Sequence, residues 1–357
     1  MQSFVYNAQA ARVLFGAGKL AQVAQEAQWL NMQRALVLCT PEQTEQAQQV
    51  ADLLGSLAVG VHHKAVMHVP IETVRDACRE VQRLRVDGLV AYGGGSTTGL
   101  AKAIALETGL PILAIPTSYA GSEMTSIYGI TDGGVKKTGK DARVLPRSVI
   151  YDPDLTLSLP VGLSVTSGMN ALAHAAEGLY AQDRNPMTRL MAMEGISSLA
   201  KALPMIKADS QHAQGRALAL YGAWLCGSVL GSVGMALHHK LCHTLGGSFN
   251  LPHAEVHTVV LPHALAFNAM AAPDAMNDLA HTLGVDNGPL GVYQLAKDNG
   301  APVALKDIGM KAADLDLAAD LAVKQPYWNP RPFGLAQRDE IRALLQRAFE
   351  GVTPGYG

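Results

Sequence analysis

The sequence predicts an α/β domain with a parallel sheet over residues 1–154, followed by an all-α domain over residues 155–357. Two patterns carry that expectation. Up to about residue 152, short apolar runs alternate with helix-like stretches; from Thr156 onward the strand-length runs stop and long stretches rich in Ala, Leu, Met and Gly follow. Composition makes such a packed molecule possible. Of 357 residues, 48% are hydrophobic and 16% charged, which gives material for two domains and excludes a disordered chain. Lys and Arg number 28 against 30 Asp and Glu, a net charge of -2, so neither nucleic acid nor an anionic membrane is an expected partner.

The strand candidates, in order, are residues 35–38, 59–61, 88–92 and 111–115, with helices expected over 42–57, 71–85 and 98–108. Strand and helix alternating at this rhythm give a parallel sheet covered on both faces. In the second half, breaks are expected at Pro186, Pro204, Pro252 and Pro302, and a helix over 169–180. A last amphipathic helix, reaching about Phe349, follows Trp328-Asn329-Pro330-Arg331-Pro332. Residues 217–237 form 21 uncharged positions, long enough to cross a bilayer, with small residues four apart at Ala223, Gly227 and Gly231. The run stands alone, is studded with Gly and Ser, and leads into histidines, so a central helix of the second domain is expected instead. Cys39, Cys78, Cys226 and Cys242 are scattered without a CxxC pair, and the first eighteen residues lack a basic start followed by an apolar run. Reduced thiols and a cytoplasmic location are the expectation.

Three stretches carry chemistry. Tyr92-Gly93-Gly94-Gly95-Ser96 joins a strand to a helix, where glycines let backbone N–H groups approach a phosphate at the helix N-terminus. Phe15-Gly16-Ala17-Gly18-Lys19-Leu20-Ala21 also satisfies the G-x-G-x-x-A pattern. It has no good strand before it, and Thr40 and Pro41 lie where an acid belongs, so a plain turn is expected. Pro116-Thr117-Ser118, after the fourth strand, places hydroxyls at a second strand end. The third stretch holds six of the twelve histidines: His238, His239, His243, His253, His257 and His263. His239 and His243 are four apart, as are Asn170 and His174, so each pair shares a helix face. Two helices presenting imidazoles inward is how metal or catalytic sites are built within helical domains.

The ordered set Gly93-Gly94-Gly95-Ser96, Pro116-Thr117-Ser118, Ser122-Glu123, Asp152-Pro153, Ser167-Gly168-Met169-Asn170-Ala171-Leu172-Ala173-His174, His239-x3-His243-x-Leu245-Gly246 and Pro252-His253 spans essentially the whole chain. It resembles the iron-containing alcohol dehydrogenase superfamily. The resemblance implies the dehydroquinate synthase-like fold: a Rossmann-like dinucleotide-binding domain, a helical catalytic domain, and a nicotinamide cofactor in the cleft between them. It implies Gly94, Gly95, Ser96, Thr117, Ser118 and Thr40 as cofactor-binding residues. Asn170, His174, His239, His243 and His253 are the implied catalytic set, and His174, His239 and His253 the iron or zinc ligands if a metal is bound.

Two departures carry information. The family's aspartate ligand is Asn170 here, which brings no charge to a divalent ion, so affinity should fall and a metal is not expected to be required. The acid that commonly selects NAD is replaced by Thr40, so NADH or NADPH should be accepted. Together with Tyr119-Ala120-Gly121-Ser122-Glu123-Met124-Thr125, His238-His239-Lys240-Leu241-Cys242-His243 and Tyr327-Trp328-Asn329-Pro330-Arg331-Pro332, these departures are similar to one branch, the maleylacetate reductases. That likeness implies reduction of the carbon–carbon double bond of maleylacetate to 3-oxoadipate, in aromatic breakdown, by a cytoplasmic homodimer. His243 is then the expected proton donor, and Arg147, Lys240 and Arg331 are candidates to bind the dicarboxylate. A metal-dependent alcohol dehydrogenase, a hydroxyacid-oxoacid transhydrogenase-like enzyme and a silent nucleotide-binding protein are the alternatives.

Overall fold

The computed structural model describes Phe4, Tyr6 and residues 11–133 and 135–355. The chain divides into two compact units, whose main bodies are Ala8–Leu159 and Pro160–Gly357.

The first unit is built on a six-stranded sheet. Its strands are β1 (Arg12–Phe15), β2 (Ala35–Leu38), β3 (Ala58–His62), β4 (Gly88–Gly93), β5 (Ile112–Pro116) and, after the antiparallel hairpin β6 (Ile127–Asp132) and β7 (Val135–Lys140), β8 (Ser148–Tyr151). The six lie in the order β1-β8-β5-β4-β2-β3, all parallel. Helices α1 (Val23–Trp29), α2 (Thr44–Leu54), α3 (Ile71–Leu84) and α4 (Gly95–Thr108) cover it. Strands β2, β4 and β5 are buried along their whole length, which is why they read as unbroken apolar runs rather than alternating ones. Successive side chains still part to opposite faces. Leu36 and Leu38 join Val74, Val81 and Ile104 in one core, while Ala35 and Val37 join Val23, Val50 and Leu113 in the other.

The sheet reverses direction between β2 and β4: β3 lies on one side of β2, and β4, β5 and β8 lie on the other. At such a switch point the strand ends part and leave a crevice for ligands. The glycine run expected from sequence is at that edge, and helix α4 starts at Gly95, three residues earlier than its pattern suggested. One expectation is corrected here. A strand, β1, does precede the Phe15–Ala21 turn, and the turn is filled from within: the Asp152 carboxylate accepts the Gly18 and Leu20 N–H groups (3.1 and 2.9 Å).

The second unit is helical: α5 (Val161–Gly178), α6 (Pro186–Ala208), α7 (Ala213–Ser232), α8 (Leu237–Phe249), α9 (His253–Asn268), α10 (Pro273–Leu283), α11 (Gly288–Asp298), α12 (Leu315–Ala322) and α13 (Arg338–Glu350). Pro204 does not break its helix but lies inside α6. A proline there costs about 3 kcal/mol, which the packing of α6 along α5 and α7 outweighs. The uncharged run 217–237 is not one helix. It divides between α7 and α8, whose axes differ by 98°, and no single helix among the described residues is long and apolar enough to cross a membrane. Carboxylates hold the bend, with Asp183 accepting the Gly234 N–H (2.9 Å) and Glu177 the Ala236 N–H (2.9 Å).

Candidate active site

In the α/β unit, the end of β4 is shaped for close approach. Gly93 has φ +148°, and a Cβ there would meet Thr97 Oγ1 at 2.5 Å. A Cβ on Gly94 would lie 2.9 Å from Ser118 Oγ. Gly94 also leaves the first turn of α4 without a side-chain cap, so its N–H groups face outward at the positive end of a fourteen-residue helix. Thr117 is tied to both neighbours, its N–H to the Gly93 carbonyl (3.2 Å) and its hydroxyl to Gln43 (3.0 Å). The structure thus groups Gly94, Gly95, Ser96, Thr117 and Ser118 at one strand edge, with Thr40 closing the end of β2. This arrangement fits a dinucleotide phosphate, since the cradle is one that a single Cβ would fill. Glu42 adds a carboxylate two residues past Thr40; its own backbone N–H and the Thr40 hydroxyl hold its pKa below the usual range.

Beneath this edge lies a fully buried lysine. Lys102, two turns into α4, donates to the carbonyls of Ser122 (2.6 Å), Thr125 (2.8 Å) and Ile127 (2.8 Å) and to the Thr125 hydroxyl (2.8 Å). Burial brings its pKa down to about 7. It pins to the helix the loop that follows Thr117 and Ser118.

In the helical unit, α5 presents Asn170, His174 and Glu177 along one face, spaced four and three apart. Glu177 has no exposed surface and receives the N-terminus of α8. Its Oε2 accepts from Ala236 N–H (2.9 Å) and His239 Nδ1 (2.6 Å), and its Oε1 from His238 N–H (2.8 Å). Burial alone would raise this carboxyl; the His239 hydrogen bond and the neighbouring imidazoles and N–H groups bring it down to about 2. The His174 and His239 rings are 5.2 Å apart, and His257 sits 5.0 Å from His239 and 6.2 Å from His174. Desolvation, then the neighbouring imidazoles, hold His174 and His257 well below the ordinary histidine range.

Of the expected set, Asn170, His174 and His239 come together in the buried interior. His253, at the first turn of α9, is exposed, with its ring 4.3 Å from that of His257. His243 is exposed one turn beyond His239, its Nδ1 2.9 Å from the Tyr327 hydroxyl. Sequence reasoning missed Glu177 and His257. Both carried a signal: Glu177 extends the Asn170–His174 spacing by one more turn, and His257 follows His253 by four.

The three candidate cations fall apart. Arg147 precedes β8, at the edge of the sheet opposite the ligand crevice. Arg331 stacks on Phe267 (4.1 Å) and pairs with Glu340, so it fastens the tail. Only Lys240 stays near the imidazoles, 5.7 Å over the Tyr327 ring. Asn329 secures that segment, accepting the Leu237 N–H (3.3 Å) and exchanging hydrogen bonds with Asn268 (2.9 and 2.6 Å).

The iron-containing alcohol dehydrogenase model matches residues 10–153, and the model of that family's C-terminal part matches residues 164–349. The chain belongs to the iron-containing alcohol dehydrogenase family. Within it, a maleylacetate reductase of Burkholderia cepacia is 59% identical over 99% of this chain and 100% of its own. The crystal structure of a maleylacetate reductase from Agrobacterium tumefaciens superposes with a TM-score of 0.95 at 52% identity, covering 99% of this chain and 100% of the other. That of a maleylacetate reductase from Rhizobium sp. strain MTP-10005 gives 0.94 at 52%, with the same coverage. The family fold, an α/β unit followed by a helical one, is the architecture described above, and the chain is an oxidoreductase.

Proposed function

We propose that the protein reduces the carbon–carbon double bond of maleylacetate to give 3-oxoadipate, with NADH as the better cofactor. The observation that carries this reading is full-length identity of 52–59% to maleylacetate reductases, joined to the exchange of the family's aspartate ligand for Asn170. A nicotinamide cofactor, held at the strand edge of Gly94, Gly95, Ser96, Thr117 and Ser118, would supply a hydride to the alkene carbon remote from the ketone, leaving enolate charge on the ketone oxygen. What the chain must add is a polar surface for that charge and one proton for the adjacent carbon.

An alcohol dehydrogenase needs a Lewis acid because an alkoxide must form before hydride leaves. A conjugated ketone is already an electrophile, so N–H donors can serve. His243, exposed and hydrogen-bonded to Tyr327, is the proton donor in this reading, with Lys240 beside it to attract a substrate carboxylate. His239 is held by Glu177 in a fixed orientation, and Asn170 contributes an amide without charge. The residues also fit a divalent ion: His174 Nδ1, His239 Nε2 and Asn170 Oδ1 are buried without a hydrogen-bond partner. Such an ion, when bound, supplies Lewis acidity to the same oxygen. Glu42 favours NADH, because a carboxylate beside Thr40 accepts a ribose hydroxyl and repels a 2′-phosphate. A homodimer is proposed from the family likeness.

The test is NADH oxidation by freshly generated maleylacetate, with the enzyme as purified and after exhaustive chelation. Turnover is expected as purified, and turnover surviving chelation means the side chains suffice. His243→Ala should lower kcat far more than it weakens NADH binding. Absence of turnover in both preparations, with oxidation of simple alcohols by NAD+ instead, refutes the proposal.

A further inference from the structure

We infer that Tyr327 is a positioning residue for the proton donor: its phenol oxygen accepts the Nδ1 proton of His243 and so reserves Nε2 for the substrate. The inference rests on the reading of His243 given above. The two groups meet at 2.9 Å, with their rings edge to face at 71°. His243 stands exposed on α8, where an unsupported ring turns about two side-chain bonds and carries its proton on either nitrogen. The hydrogen bond made by one ring nitrogen decides what the other presents. An acceptor fixed at Nδ1 therefore settles both the aim of the ring and its tautomer.

The strap that carries the phenol is held in register with α8. Asn329, two residues on, is 7% exposed. Its Oδ1 accepts the Leu237 N–H (3.3 Å) at the first turn of that helix, and its Nδ2 donates to Asn268 Oδ1 (2.6 Å) and to the Arg331 carbonyl (2.6 Å). Arg331 Nη1 donates in turn to the Phe267 carbonyl (3.1 Å), and Pro330 and Pro332 restrict the backbone on either side of it. From Leu237 to His243 the helix rises about 9 Å, and from Asn329 back to Tyr327 the chain spans at most about 7 Å. The strap is thus tied at the start of α8 and reaches the imidazole along the same helix. Lys240, one turn before His243, lies 5.7 Å over the face of the Tyr327 ring. Burial raises the pKa of the phenol, so its oxygen stays a neutral acceptor. The proton balance follows. The imidazolium form of His243 holds a proton on each nitrogen. The electron pair of the enolate takes the Nε2 proton to form the C–H bond, and the ketone re-forms. The ring is left neutral, its remaining proton on Nδ1 and donated to Tyr327, and water returns a proton to Nε2.

The test is Tyr327→Phe, which removes one hydroxyl from a half-buried ring and leaves the fold in place. Long-range 1H–15N spectra of 15N-histidine-labelled enzyme, without substrate or nucleotide, read the tautomer at pH 9, above the ordinary histidine range. The His243 ring, assigned by its loss in His243→Gln, should be protonated at Nδ1 in the wild type and at Nε2 in Tyr327→Phe. In turnover, Tyr327→Phe should lower kcat about tenfold or more with the NADH Kd unchanged, and the effect of D2O on kcat should grow as proton delivery becomes slow. A wild-type ring protonated at Nε2, the same tautomer in both proteins, or an unchanged kcat in Tyr327→Phe would each overturn the inference. Failure of the wild type to reduce maleylacetate would instead refute the reading of the reaction, and the tautomer would still decide whether Tyr327 sets the ring.

Discussion

Glu177→Gln keeps the volume of a fully buried side chain and changes only its charge and one acceptor. The carboxylate serves three donors within 2.9 Å: the N–H groups of Ala236 and His238 and the ring of His239. Glutamine has one oxygen. If that oxygen keeps Ala236 and His239, its NH2 group faces the His238 N–H, donor against donor. The loss is one charge-assisted hydrogen bond plus an orphaned donor, together roughly 3–5 kcal/mol. For a unit of some 200 residues, that lowers Tm by about 10 °C. Urea and thermal unfolding of both proteins at pH 7.5 measure it. The sign is checked by acid: a carboxyl held near 2, against 4.5 for the unfolded chain, contributes above pH 4.5 and loses its contribution as pH falls toward 2. The gap between wild type and variant should therefore narrow in that window. A difference under 1 kcal/mol at pH 7.5 would refute the reasoning, for Glu177 would then not be the anion organising the start of α8.

Three further outcomes are expected. His263 is 1% exposed with neither ring nitrogen paired, and burial with the Arg347 charge pushes it down to about 4. It favours the neutral form, so wild type should lose about 2 kcal/mol relative to His263→Leu on going from pH 8 to pH 5; parallel pH profiles would contradict this. Gly94→Val sets a Cβ 2.9 Å from Ser118 Oγ in the phosphate cradle, and should raise the NADH Kd by about tenfold or more with little change in Tm; unaltered NADH binding in fluorescence titration would remove the glycine run from the cofactor site. Lys102→Ala strips the donor from three carbonyls and should cost at least about 3 kcal/mol. Amide exchange should speed at residues 122–127, and equal exchange rates would show that the loop holds without its lysine.

By itself the sequence determined what local pattern determines. The buried central strands needed unbroken apolar runs, the glycine run could sit only where a backbone turns sharply, and histidines spaced by four had to share a helix face. The two-unit order and the separate Asn170–His174 and His239–His243 pairs follow from those facts, while the grouping of His239 with Asn170 and His174 was implied only by the family resemblance. Tertiary structure decided the rest, because its causes lie far apart in the chain. Strand β1 pairs with β8, Arg12 opposite Ser148, and a four-residue edge strand has no signal before its partner is present. The turn after β1 was read correctly as a turn, but Asp152, which fills it, comes more than 130 residues later. Arg147 and Arg331 looked like substrate ligands until the sheet direction put one at the wrong edge and Phe267 claimed the other. Above all, the sequence could count six histidines but not say which keep a free lone pair. That is settled by who donates to whom across α5, α8 and α9, and a hydrogen bond between helices is not written in either helix alone.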